Sequence, residues 1–282
     1  MHASIFYNMT TLRHVFFVSD RTGITAEMLG KTLLSQFPTV TFDKHTLPFI
    51  DTPEKAHAAL AEINKVAGHE AERPLILTTL IDAELRAIVH QAHALCLDLF
   101  GDFISSLELE LGMESSHALG LTHGIGNELI YEKRMAAVNY ALAHDDGITT
   151  TNYKQADVIL VGVSRTGKTP TCLYLAMQYA VPAANYPFTP DDFGRGLPKP
   201  LVSYPAKLYG LTIKPERLAK IRHERKPDSR YADVENCRRE VAAAEDMFQE
   251  QGIPYLETTL MSVEEIAITI LHKMGLTSHP NS

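Results

Sequence analysis

The stretch ADVILVGVSRTGKTPTCLYLAMQY occupies residues 156–179 and decides how the rest of the chain is interpreted. Its first six residues are mainly apolar and include β-branched side chains, a pattern that predicts a buried strand. Residues 162–169, GVSRTGKT, match the pattern GxxxxGK(S/T) and precede a predicted helix at residues 169–179. Strand, glycine-containing loop and helix follow one another in the order that this phosphate-binding motif requires.

Each residue type in this loop suits a chain of phosphate groups. Gly162 and Gly167 let backbone N–H groups approach phosphate oxygens, and the start of the helix adds partial positive charge. Lys168 is expected to reach the terminal phosphates, and the Thr169 hydroxyl to bind Mg²⁺. Arg165 is either a second cation for a transferring phosphoryl group or an exposed loop arginine. The predicted phosphate-binding residues are Gly162, Val163, Ser164, Arg165, Thr166, Gly167, Lys168 and Thr169.

The usual second magnesium ligand is missing from the sequence. Enzymes with such loops commonly hold Mg²⁺ through an aspartate at the end of a later apolar strand. Here two later strands end at Lys214 and Glu257, and Asp191 and Asp192 follow the strand 183–188 only after a proline-containing loop. The guanine-specifying NKxD motif is also absent. GTPase and motor ATPase classes are therefore disfavoured, and the metal ligands beyond Thr169 are left unassigned.

Outward from this stretch, predicted strands alternate with predicted helices. The predicted strands are residues 14–19, 40–42, 74–81, 95–100, 156–161, 183–188, 207–213 and 253–257, and the predicted helices are residues 24–36, 53–66, 82–93, 128–144, 169–179, 215–224, 231–251 and 262–273. This alternation is typical of the α/β class with mainly parallel sheets. A polar run after the helix at residues 128–144 places a domain boundary there. We predict an N-terminal α/β domain, residues 1–148, and a nucleotide-binding α/β domain, residues 149–282.

Composition excludes several classes of protein. The 282 residues are 45% hydrophobic and 21% charged, as in ordinary globular proteins. No apolar run approaches the ~20 residues that cross a bilayer, and no signal peptide is recognisable, so we expect a cytoplasmic protein that does not bind membranes. The formal charge of −8 disfavours nucleic-acid binding. Three widely spaced cysteines without a CxxC pair suggest neither disulfides nor a zinc knuckle.

Two further features are candidates for function. A second strand-to-helix junction at residues 19–27, SDRTGITAE, places Asp20 at the carboxyl end of a strand, where it is a candidate base. The alternative is an ordinary capped helix start. Residues 214–230 carry seven basic side chains, Arg222 and Arg225 among them, against three acidic ones. They form either a docking surface for an acidic or phosphorylated partner or a solvated helix face.

The chain resembles the bifunctional regulators of phosphoenolpyruvate synthase and pyruvate phosphate dikinase, a family from bacteria and plants. The resemblance covers nearly the whole chain, and the arginine inside GVSRTGKTP makes it more specific than a generic phosphate-binding loop. The matching pieces are VFFVSDRTGITAE (15–27), DDGITTTNYKQADVILVGVSRTGKTPTCLYLA (145–176), ANYPF (184–188), LYGLTIKPERLAKIRHER (208–225) and SVEEIA (262–267).

The resemblance implies an activity in two directions. Such proteins use ADP as the phosphoryl donor to inactivate their target on a threonine. They reverse the modification with inorganic phosphate, releasing pyrophosphate. Their nucleotide-binding loop corresponds to residues 162–169 here. The segments HVFFVSD (14–20) and SQFP (35–38) look closest to the branch that acts on phosphoenolpyruvate synthase (pyruvate, water dikinase), with the dikinase as the other target.

Lys168, Thr169, Arg165 and Asp20 are the candidate catalytic residues, with Asp20 acting across a domain cleft and Mg²⁺ as the metal. We favour one shared site for both directions, and two sites stay open. Two rival interpretations also remain, a small-molecule kinase and a nucleotide-gated binding protein without catalysis. A homodimer is compatible with the sequence.

Overall fold

Two parallel sheets organise the chain in a computed structural model that describes residues 12–69, 72–116, 128–147, 149–194, 196–227 and 229–276. The chain divides into two compact units, residues 1–124 and 125–282. Each described sheet has four strands, and neighbouring strands within each sheet are parallel. The expected α/β class is therefore confirmed.

The first unit alternates strands and helices up to its last strand. Its elements are β1 (Leu12–Val18), α1 (Ile24–Leu34), β2 (Thr41–Leu47), α2 (Pro53–Ala67), β3 (Leu75–Thr78), α3 (Ala83–Val89), β4 (Leu95–Asp98) and α4 (Gly101–Leu111), with strand order β2-β1-β3-β4. Phe16 and Val18 pack in one core cluster with residues of α2 and α3, and Val15 and Phe17 pack in another with residues of α1. Helices thus cover both faces of β1, which explains why its second half is continuously apolar.

The second unit repeats this strand order. Its elements are α5 (Glu128–Ala143), β5 (Val158–Val163), α6 (Lys168–Tyr179), β6 (Ala183–Phe188), β7 (Leu208–Thr212), α7 (Pro215–Arg225), α8 (Val234–Glu250), β8 (Tyr255–Glu257) and α9 (Val263–Met274), with strand order β6-β5-β7-β8. In both sheets the first strand is central, and the chain passes first to a strand on one side of it and then to a strand on the other side. It runs from β1 to β2 and then to β3, and from β5 to β6 and then to β7. Ligands of open parallel sheets bind beyond the carboxyl ends of the strands at such a switch point.

Helix α5 packs with the second unit. Its residues Ala137 and Ala141 lie in one core cluster with Cys172 and Leu175 of α6. The structure therefore groups α5 with the nucleotide-binding loop, whereas the boundary predicted at 148/149 groups it with the first domain. A polar run after a helix signals a turn, but it does not show which sheet that helix covers.

Most predicted elements occur in the structure within a few residues of their expected bounds. Helix α9 begins with a capping box, in which the side chains of Ser262 and Glu265 each accept a hydrogen bond from the other residue's backbone N–H. Helix α4 has no counterpart among the predictions. Its apolar side chains Phe103, Leu107 and Leu111 recur at helical spacing and are largely exposed. Among the described residues, no helix combines the length and apolar character needed to cross a bilayer.

Candidate active site

The phosphate-binding loop follows the central strand β5, all of whose residues are buried. Gly162 lies within this strand, and a Cβ atom there would sit 2.3 Å from the carbonyl oxygen of Leu211 in β7. Glycine is therefore required by strand packing at this position as well as by the loop. Gly167 has φ of +91° and directly precedes α6, with no side chain capping the helix. This left-handed conformation favours glycine and turns the chain into the helix.

Lys168 is buried, with 4% of its surface exposed, and its Nζ donates a hydrogen bond to the carbonyl oxygen of Val163 at 2.8 Å. Burial lowers the pKa of the Lys168 ammonium to about 8, while Asp145 and Asp146 act in the opposite direction. The side chain thus lies against its own loop and is packed by the protein.

Four polar side chains form a cluster next to Lys168. The Thr169 hydroxyl donates to Asp145 Oδ1 at 2.8 Å. The Asn185 amide nitrogen, from β6, lies 2.6 Å from Asp145 Oδ1, 3.2 Å from Asp146 Oδ1 and 3.0 Å from Thr169 Oγ1. Two carboxylates and a hydroxyl are the hard oxygen donors that Mg²⁺ prefers. The donor set therefore fits the metal that the motif implies.

Asp145 and Asp146 could not be recognised from the motif. Enzymes with such loops commonly carry the aspartate on a strand that follows the loop, but these two precede it, in a short turn after α5. Contacts with neighbouring backbone hold the turn. His144 Nδ1 lies 2.8 Å from the carbonyl oxygen of Tyr140, and His144 Nε2 lies 2.9 Å from that of Thr151. The available signal was that DDG (145–147) lies in the longest piece of the family resemblance.

The buried polar atoms without a hydrogen-bond partner among the described residues include Arg165 Nε in the loop and Asn185 Oδ1 in the polar cluster. Buried polar atoms in folded proteins normally have partners, so each is available to a bound ligand. Arg165 also has φ of +81°, a conformation that is unusual for an arginine. Its half-buried position favours a role in the loop over that of an exposed arginine.

Arg222 is not part of a docking surface, which corrects one sequence-based hypothesis. Its side chain is fully buried, with Nη2 donating to Glu240 Oε2 at 2.7 Å and to the Ser164 carbonyl oxygen at 3.2 Å. Its guanidinium carbon lies 4.1 Å from the centre of the Tyr231 ring, and the Tyr231 hydroxyl donates to Ser164 Oγ at 3.0 Å. Arg222 therefore supports the loop from behind. A count of charges along the chain cannot distinguish a buried arginine from an exposed one.

Other cations of residues 214–230 do face solvent. The exposed ones are Lys214, Arg217, Lys220, Arg225, Lys226 and Arg230. Arg230 and Tyr231 also line an open groove of about 640 Å³ with Phe193 and Glu240. The hydrogen bond between Tyr231 and Ser164 connects this groove to the phosphate-binding loop.

Asp20 lies in the first unit, at the carboxyl end of β1. It is 6% exposed, and its Oδ2 accepts a hydrogen bond from the Ile81 amide at 3.2 Å. Burial raises the pKa of the Asp20 carboxyl, against the lowering effects of the Ile81 amide and Arg21. A raised pKa suits a proton acceptor. The role of Asp20 as a base stays a prediction.

Comparisons with known proteins agree along most of the chain. A family model described as kinase/pyrophosphorylase matches residues 15–271. Three curated relatives, each named "Putative phosphoenolpyruvate synthase regulatory protein", come from Halorhodospira halophila, Bordetella parapertussis and Methylibium petroleiphilum. They are 52%, 54% and 54% identical over 95%, 94% and 92% of this chain and over 99%, 96% and 95% of their own lengths.

Proposed function

The chain belongs to the kinase/pyrophosphorylase family, and from this premise we propose that it is a phosphotransferase that regulates phosphoenolpyruvate synthase. In one direction the terminal phosphoryl group of ADP passes to a threonine hydroxyl of the synthase, leaving AMP. In the other direction inorganic phosphate takes that group from the phosphothreonine, leaving the free hydroxyl and pyrophosphate. The observation that carries the proposal is the phosphate-binding loop with the Asp145–Asp146 pair beside Thr169.

The chain's own residues divide the work. Lys168 and Arg165 neutralise phosphate charge in the loop, and bound Mg²⁺, held by Thr169, Asp145 and Asp146, would add a further positive charge there. Asn185 holds the two carboxylates and the hydroxyl in one arrangement through its amide nitrogen. The groove beside Tyr231 is the proposed place for the nucleoside. Asp20 is the proposed base that takes the threonine proton.

The decisive experiment uses ADP labelled on its β-phosphate together with purified synthase. We expect label on a threonine of the synthase and AMP as the second product. ADP labelled on the α-phosphate is the control and must leave no label on the synthase. Turnover of a metabolite with ATP, without any labelled protein, would instead support a small-molecule kinase. ADP binding without any transfer would support the nucleotide-gated binding protein.

Thr169→Val should damage both directions together. The variant keeps the shape of the side chain but removes the hydroxyl that donates a hydrogen bond to Asp145. Because we propose one phosphate pocket, the rates of ADP-dependent phosphorylation and of phosphate-dependent removal should fall by similar factors, on the order of 10²-fold. Both rates are measured on the same preparation, with Thr269→Val as the control, because the Thr269 hydroxyl donates to the Glu265 carbonyl oxygen within α9. Loss of only one activity would show that the two directions use separate sites.

Asp145→Asn tests the proposed metal ligands. The amide keeps the size of the side chain but loses the charge that attracts Mg²⁺, so the Mg²⁺ concentration needed for half-maximal activity should rise by about tenfold or more. Asp157→Asn, at the other end of β5, is the control and should leave this concentration unchanged. A normal Mg²⁺ dependence in Asp145→Asn would remove Asp145 from the metal site.

The exposed cations are the proposed contact with the synthase. Arg217→Glu combined with Arg225→Glu should slow association with the synthase and leave ADP affinity unchanged, because both side chains face solvent. The difference should shrink at high salt, as the screening length falls from ~10 Å at 0.1 M to ~3 Å at 1 M. Lys154→Glu with Lys273→Glu is the control of equal charge. Equal association rates in the two double variants would favour a solvated helix face.

A further inference from the structure

Three metal-ligating side chains converge on the sheet of the first unit, outside the site described above. His14 lies in β1, and Asp43 and His45 lie in the neighbouring strand β2. The parallel register places His14 opposite Asp43 and Phe16 opposite His45. Since side chains alternate between the faces of a strand, residues two apart share a face, and this register brings all three groups together near the amino ends of both strands.

The three ligand atoms are almost equally far apart. His14 Nδ1 and His45 Nε2 each lie 3.1 Å from Asp43 Oδ2, and the two nitrogens lie 3.2 Å from one another. A tetrahedral Zn²⁺ with bonds of about 2.0–2.1 Å separates its ligand atoms by about 3.3–3.4 Å. The described side chains therefore need to move apart by only a few tenths of an ångström to surround such an ion.

Protons cannot satisfy these three contacts at once. If both nitrogens donate to the carboxylate, the 3.2 Å contact between the two nitrogens joins two donors and has no acceptor. If one nitrogen donates to the other instead, the lone pair of the acceptor nitrogen is used and its contact with Asp43 Oδ2 joins two acceptors. One of the three pairs is thus repulsive in either arrangement. A cation in the centre removes this conflict, because all three atoms can direct a lone pair at it.

Packing holds one of the rings and leaves the site open to solvent. The His45 ring stacks on the fully buried Phe16 ring, with centroids 4.9 Å apart and planes 20° apart. The exposed fractions of the side chains are 16% for His14, 35% for His45 and 46% for Asp43. A partly held ligand set that solvent can reach is suited to taking up an ion from solution.

We propose that His14, Asp43 and His45 bind one divalent transition-metal cation of the Zn²⁺ type, with water in the remaining position. Two imidazole nitrogens and one carboxylate favour such an ion over Mg²⁺ or Ca²⁺, which prefer oxygen ligands alone. The site joins the edge strand β2 to β1. It is independent of the proposed phosphoryl transfer.

The test is a titration of the chelator-treated full-length protein with Co²⁺, followed by visible absorption, and then with Zn²⁺ by calorimetry. We expect one equivalent of Co²⁺ to give ligand-field bands, which one equivalent of Zn²⁺ abolishes. Asp43→Asn and His45→Gln should each weaken binding by roughly 100-fold. His57→Gln, on the exposed face of α2, is the matched control and should bind normally.

Loss of binding through misfolding is excluded by using two separate ligand variants and by recording the circular dichroism of each. Asp43 is half exposed, so Asp43→Asn is expected to fold. Absence of saturable binding in the wild type would overturn the proposal. It would also be overturned by wild-type affinity in folded Asp43→Asn and His45→Gln, or by an equal loss in His57→Gln.

Discussion

Replacing Lys168 with methionine is expected to lower ADP-dependent phosphorylation of phosphoenolpyruvate synthase by roughly 10²–10⁴-fold. The ammonium group is the cation that the proposed mechanism places on the terminal phosphates, and methionine retains most of its volume. Alanine is a poorer choice than the motif alone suggests, because Lys168 is 4% exposed and its removal would leave a void. Initial rates with saturating synthase measure the effect.

The matched control for this substitution is Lys220→Met, an exposed lysine on α7. It should leave the rate nearly unchanged. Thermal unfolding should show that Lys168→Met is no less stable than the wild type at pH 7, since the variant no longer buries a charge. A folded Lys168→Met protein with near-normal activity would contradict the assignment of the loop.

The pH dependence gives a second readout of the same lysine. Burial lowers the pKa of Lys168 from 10.5 to about 8, so in the free protein the side chain becomes neutral as the pH rises through 8. ADP affinity should therefore fall above about pH 8 in the wild type and stay flat in Lys168→Met. Between pH 8 and 10.5 the unfolded chain binds more protons than the folded one, so this lysine makes the folded state relatively more stable as the pH rises.

Replacing Arg222 with methionine is expected to reduce the free energy of unfolding by about 3–5 kcal/mol. The variant leaves Glu240 without its 2.7 Å partner and removes the donor to the Ser164 carbonyl oxygen. It also removes the cation from the Tyr231 ring. Urea unfolding at constant pH measures the change, with Arg225→Met, exposed at the end of the same helix, as the control.

Combining Arg222→Met with Glu240→Met distinguishes two causes of lost stability, a broken buried ion pair and a smaller side-chain volume. Removing both charges leaves no unpaired group, so the double variant should be clearly more stable than the sum of the two single effects predicts. Additive effects, or an Arg222→Met protein as stable as Arg225→Met, would contradict the role of Arg222 as support for the loop.

The loop itself could be predicted because its requirements are local. Backbone conformation, the start of α6 and the residue types of GVSRTGKT all act within eight consecutive residues. Helix and strand periods are local for the same reason, so most elements and the α/β class were predicted. Helix α4 was not predicted, although Phe103, Leu107 and Leu111 recur at helical spacing in the sequence.

The carboxylates and the buried arginine could not be predicted in the same way. Asp145 meets Thr169 across 24 positions of the chain, and Arg222 meets Ser164 across 58. The cluster of His14 with Asp43 and His45 depends on which strand lies beside β1 and in which register. No motif of consecutive residues can reveal this cluster, since its ligands come from two strands.

By itself the sequence determined the parallel α/β architecture, the phosphate-binding loop and the family resemblance, because short-range periodicity and consecutive residues encode them. Only the tertiary structure decided that Asp145 and Asp146 lie beside Thr169, that Arg222 is buried behind the loop and that α5 packs with the second unit. Strand order and register select the partners in those contacts, and the free energy that selects them comes from burying apolar surface between residues far apart in the chain.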